Sequence, residues 1–102
     1  MNIKYNFSNK NLLIYLYGEL DECSAVNARD AIDKLINSDK CYENVVFNLT
    51  NLTFMDSTGI GMMIGRYKKI KNKNRSVYIQ NPSNTIEKIL QLSGLYQIMP
   101  KI

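Results

Sequence analysis

Histidine and tryptophan are absent from the 102 residues. Without histidine the chain cannot assemble a Ser-His or Cys-His couple or a histidine-ligated metal centre. Two cysteines alone supply neither a four-ligand zinc site nor a disulfide framework. No stretch approaches the roughly 20 apolar residues of a membrane span. The opening Met1-Asn2-Ile3-Lys4-Tyr5 lacks the apolar centre of a secretion signal. These absences point to a cytoplasmic protein with Cys23 and Cys41 reduced, no metal or other cofactor, and no membrane attachment. They also remove the common hydrolase mechanisms.

What is present is ordinary globular composition. Apolar residues make up 45% and charged residues 22%, enough for one domain, residues 1–102, with a real core. The net charge of +4 conceals a separation. Seven of the nine acids lie from Glu19 to Glu43, and six of the thirteen bases lie from Arg66 to Arg75. A basic run can serve nucleic acid. This one is interrupted by a single aromatic, Tyr67, and suits a helix C-terminus, where cations oppose the negative end of the dipole.

Two β-like runs, Ile3 to Phe7 and Leu12 to Tyr17, flank the polar Ser8-Asn9-Lys10-Asn11 and read as a hairpin broken by Gly18. Asp21 can cap a helix carrying Ala25, Ala28, Ile32, Leu35 and Ile36 on one face, with Asp30 and Asp33 off it, and ending near Ser38-Asp39. Val45 to Leu49 reads as a strand buried on both sides. Thr50 to Met55 leads from it to a second helical pattern of Ile60, Met63, Ile64, Tyr67 and Ile70. Val77 to Ile79 is a further short strand. Asn84 with Glu87 fits a capping box for a third helix, which Gly94 ends in the left-handed region. A last short strand is expected at Gln97 to Met99. The alternation predicts an α/β domain with a mixed, mostly parallel sheet of about five strands and about three to four helices.

Phe54-Met55-Asp56-Ser57-Thr58-Gly59-Ile60-Gly61 is the most unusual segment. It contains no phosphate-loop or nucleophile-elbow spacing. It does place a hydroxyl at a helix N-terminus, where unpaired N–H groups and the dipole favour negative charge. Asp56 or Ser57 can simply cap the helix. Gly59, Gly61 and Gly65 ask for a further reason, since each interior glycine costs about 1 kcal/mol relative to alanine. Close packing of helix on sheet and a bare surface for a partner's approach are both open. Met62 and Met63 read as core.

At these residues a resemblance enters. Val45 to Leu49 followed by Phe54 to Gly61 resembles the anti-sigma factor antagonists, which are single STAS domains. Gly65-Arg66-Tyr67-Lys68-Lys69-Ile70-Lys71 is similar to the sporulation members in particular. Gly18-Glu19-Leu20-Asp21 and Leu92-Ser93-Gly94-Leu95 resemble the turn before the family's first helix and the end of its third. The resemblance implies a STAS-like fold, no catalysis by this chain, and a partner that is both anti-sigma factor and Ser/Thr kinase. The unphosphorylated antagonist binds that kinase and frees the sigma factor. Phosphorylation at the serine after the motif aspartate, Ser57, ends binding, and a PP2C-type phosphatase restores it. Thr58 stands where sporulation members often have a second serine, and Glu22-Cys23-Ser24 departs from their residues.

Asp21 and Asp56 follow strands expected to be neighbours, so both belong at the carboxyl edge of the sheet. The expected partner surface is Asp21, Asp56, Ser57, Thr58, Gly59, Ile60 and Gly61. Three other readings remain at this stage. One is an antagonist in a general stress-response circuit. Another is a nucleic-acid-binding domain using Arg66 to Arg75, and the third is an enzyme working through the Asp21 and Asp56 carboxylates.

Overall fold

A computed structural model describes residues 1–102. The order is β1 (Asn2–Ser8), β2 (Asn11–Leu20), α1 (Ala25–Ile36), β3 (Asn44–Met55), α2 (Ser57–Asn72), β4 (Ser76–Gln80) and α3 (Asn84–Ser93), then a 3-10 turn at Leu95–Gln97. One four-stranded sheet runs in the order β1-β2-β3-β4. β1 pairs antiparallel with β2 through a tight turn at Asn9 and Lys10, both at positive φ. β2 with β3 and β3 with β4 are parallel. The expected mixed, mostly parallel α/β architecture is what forms.

The two parallel crossovers step the same way along the sheet, so right-handed connections place α1 and α2 on one face. On that face Leu12, Ile14 and Leu16 of β2, Val45 and Phe47 of β3, and Val77 and Ile79 of β4 pack in register. Ala25, Ala28, Ile32 and Ile36 of α1, Met63 and Ile70 of α2, and Ile86 and Leu90 of α3 join the same core. Val46 is 4% exposed yet outside that core, paired in register with Leu13 and Tyr78 on the neighbouring strands. The other sheet face is tied by amide rungs, Asn44 Nδ2 donating to Asn11 Oδ1 at 3.0 Å and Asn48 Nδ2 to Gln80 Oε1 at 2.8 Å.

Several boundaries differ from the expected ones. Gly18 does not end β2, which runs on to Leu20 with Gly18 at φ 102°. β3 does not stop at Leu49 but reaches Met55. Between the pairs Tyr15 with Asn48 and Leu20 with Met55, β3 carries two more residues than β2. These bulges turn the burial pattern to every third residue, Leu49, Leu52 and Met55, so the alternation that marks a strand is lost. α1 starts at Ala25, after a turn closed by Asp21, and stops at Ile36.

The cap of α3 is Ser83, whose Oγ accepts from Ile86 N at 3.3 Å, not Asn84. Glu87 is held instead by Tyr96 and Lys101. The fifth strand expected at Gln97 to Met99 does not form. Leu95 and Met99 are both buried one turn apart, so this segment coils locally. Only Lys101 bridges β4, with Ile79 N donating to Pro100 O at 3.0 Å and Ile102 N to Ile79 O at 2.9 Å. Pro100 has no N–H to extend a ladder.

Candidate functional site

The parallel pairing of Leu20 with Met55 brings Asp21 and Asp56 to one edge of the sheet, and Asp56 N donates to Leu20 O at 3.3 Å. Both carboxylates organise their own backbone. Asp56 has extended dihedrals, and its Oδ1 accepts from Gly59 N at 3.0 Å, capping the 16-residue α2. Asp21 Oδ1 accepts from Cys23 N at 2.9 Å and Ser24 N at 3.0 Å. Ser24 Oγ answers by accepting from Asp21 N at 3.0 Å and donating to Glu19 O at 2.7 Å. These reciprocal bonds hold the loop before α1 in one conformation.

Ser57 is the first residue of α2 and is exposed, as is Thr58. Ile60 is half-buried against the core and Gly61 is exposed. Gly59 is buried. A Cβ there would lie 2.5 Å from Leu20 O, 2.9 Å from Met55 Cγ and 3.0 Å from Leu20 Cγ. Its missing side chain lets α2 seat on the end of β2, so Gly59 shapes the site from below and offers no side of itself to a partner. At Gly61 and Gly65 a Cβ would meet nothing within 4 Å. Gly59 thus serves close packing, while Gly61 and Gly65 leave open space at their Cβ positions. Met62 and Met63 are core, at 8% and 0% exposure.

The structure therefore gathers Asp21, Asp56, Ser57, Thr58, Ile60 and Gly61 around one rim, with Gly59 beneath. Thr58 and Gly61 also border a groove of about 250 Å³ between α1 and α2. Sequence reasoning missed an ion pair at the seam beside that groove. Asp33 lies off the buried apolar face of α1 but is not a freely solvated charge. It forms ion pairs with Arg66 at 3.1 Å and Lys69 at 3.0 Å across the seam. The available signal was the spacing of Thr58, Met62 and Arg66, four residues apart on one face of α2.

The basic run is partly engaged within the fold. Arg66 and Lys69 pair with Asp33, and the Arg75 guanidinium lies 3.8 Å from the centre of the Tyr42 ring. No group of three or more His, Cys, Asp or Glu side chains could hold a metal, and no helix is long and apolar enough to cross a membrane. Both cysteines are free and exposed.

A match to the STAS domain covers residues 2–102. An anti-sigma F factor antagonist of Paenibacillus polymyxa is 38% identical over 89 residues, spanning 87% of this chain and 75% of the relative. The unphosphorylated anti-sigma factor antagonist SpoIIAA superposes with a TM-score of 0.80 at 28% identity, covering 99% of this chain and 88% of that one. The phosphorylated form of SpoIIAA from Bacillus matches with a TM-score of 0.71 at 28% identity, over 99% of this chain and 91% of that one. With its fold, its Asp56-Ser57-Thr58-Gly59 helix start and these likenesses in agreement, the chain belongs to the STAS domain family, among its anti-sigma factor antagonists, which are regulatory binding proteins rather than enzymes.

Proposed function

We propose that the unphosphorylated chain docks the start of α2 and the Asp21 loop on an anti-sigma factor that is also a Ser/Thr kinase, and so releases a sigma factor of sporulation. The kinase then transfers the γ-phosphoryl group of ATP to Ser57 Oγ. The bond to ADP breaks, ADP leaves and the hydroxyl proton is lost. The phosphorylated form dissociates, and a PP2C-type phosphatase returns it to the pool. The observation that carries this reading is an exposed serine at the first position of a helix whose entry is clamped by Asp56. The solved phosphorylated form of a relative of the same fold supports it.

Phosphorylation adds about −1.5 to −2 charges. The N-terminus of α2 accommodates them, because its free N–H groups and dipole favour an anion. Asp56 next door opposes them. The switch therefore acts on the interface and leaves the fold in place. A penalty of about 3 kcal/mol lowers affinity by more than a hundredfold, which suffices to turn binding off.

The test is incorporation of phosphate from ATP-Mg²⁺ by the candidate anti-sigma kinase of the same cell, mapped by peptide mass spectrometry. One phosphate at Ser57, absent from Ser57→Ala, is expected. No incorporation with a demonstrably active kinase would leave a constitutive binding module. Ser57→Asp should keep the wild-type circular dichroism and melting curve while losing the partner. A variant that unfolds would refute an interface switch.

A further inference from the structure

The seam between α1 and α2 carries charge that the rim around Ser57 does not use. Its groove is lined by Val26, Arg29, Thr58, Gly61, Met62 and Arg66, together with Ala25. The Arg66 side chain is 7% exposed. Its Nε lies 3.1 Å from Asp33 Oδ1, but neither atom makes a hydrogen bond, and its Nη1 is buried with no acceptor. Asp33 is shared, since Lys69 Nζ donates to its Oδ2 at 3.0 Å. Arg29 pairs with its neighbour Asp30 at 3.1 Å. Three cations, Arg29, Arg66 and Lys69, thus face two carboxylates, Asp30 and Asp33. Burial pushes the Arg66 guanidinium down from its usual range, Asp33 holds it up and Arg29 repels it. A buried guanidinium donor without an acceptor is uncommon in a finished structure and calls for a group to satisfy it.

We propose that this groove receives an acidic side chain, an Asp or Glu carboxylate of the anti-sigma partner, gripped by Arg66 and Arg29. The proposal rests on the partner reading above. Charge complementarity selects the occupant, because a guanidinium fork matches a carboxylate. Gly61 leaves the groove wall without a side chain, so a partner's backbone can come close. Val26, 53% exposed, supplies apolar contact at the mouth. Met62, part of the core, lines the groove beside Arg66 with a flexible apolar side chain. Thr58 makes the groove continuous with the rim around Ser57.

The free full-length chain is titrated with N-acetylglutamate methylamide and, separately, with inorganic phosphate, followed by ¹⁵N NMR. Saturable shifts are expected at the Thr58 and Gly61 amides and the Arg66 Nε–Hε. They should weaken about tenfold in Arg29→Glu and in Arg29→Gln, both checked by thermal melting, and persist in Lys68→Glu. The purified anti-sigma kinase should show the same ranking of affinities. Absence of saturable shifts, or shifts indifferent to Arg29, overturns the groove. A kinase that binds no form of the chain refutes the partner reading, while the titration still judges the groove. A phosphate found on Thr58 that moves the Arg29 and Arg66 resonances would assign the groove to an intramolecular phosphate and overturn the proposed occupant.

Discussion

A Cβ on Gly59 would meet the Leu20 carbonyl oxygen at 2.5 Å, a backbone atom that cannot swing away. Alanine at Gly61 or Gly65 would meet nothing. Identical residues in one helix therefore answer to different forces. Gly59→Ala should destabilise by about 2 kcal/mol, because crowding outweighs the gain in helix propensity. Gly65→Ala should stabilise by about 1 kcal/mol. Urea unfolding of the two variants checks both signs. Gly61→Ala should also stabilise the free chain, yet weaken the partner complex if the bare groove wall is used as proposed.

At the scale of elements, the first turn of α3 is tied to the tail by Glu87. Tyr96 Oη donates to Glu87 Oε2 at 2.5 Å, and Lys101 Nζ lies 3.4 Å from the same carboxylate. The Tyr96 hydrogen bond holds the Glu87 carboxyl below its usual range against burial, the next largest effect, with Lys101 adding to the lowering. A carboxyl depressed in the folded state contributes stability above its unfolded pKa, about 4.3, and loses it as pH falls through the lower folded value. Melting temperature should therefore drop in that acid window. Glu87→Gln should flatten the drop, and Tyr96→Phe should reduce it. An acid limb unchanged in both variants would show that this link does not contribute. The same tail explains why no fifth strand forms, since Leu95 and Met99 bury on a turn rather than alternating.

Across the whole molecule, α1 and α2 are joined by a charged contact, Asp33 with Arg66 and Lys69. Removing Asp33 strands the Arg66 guanidinium, 7% exposed, without its counter-ion. Asp33→Ala should destabilise by about 3 kcal/mol, whereas Arg66→Met, alone or with Asp33→Ala, should cost less than about 1 kcal/mol. Chemical denaturation of the three variants measures the difference. The contact joins the C-terminal halves of α1 and α2, away from Asp21 and Ser57 at the N-terminal ends.

The chain's own residues determine the alternating element order, the hairpin, the apolar face of α1 and the left-handed stop at Gly94. Each depends on local periodicity or on one residue's backbone freedom. They also place Asp56 and Ser57 at the start of α2, where either could cap it, and the structure makes Asp56 the cap and leaves Ser57 exposed. What they leave undecided is whatever depends on a neighbour distant in sequence. β3 runs through Thr50 to Met55 because β2 supplies hydrogen bonds to a bulged strand whose pattern no longer alternates. Gly59 is a packing residue because Leu20 and Met55 lie beneath it. Arg66 sits on the buried face because Asp33, 33 positions earlier, meets it there. Local sequence carries periodicity and capping, while counter-ions, crowding and register arise only when distant segments are brought into contact.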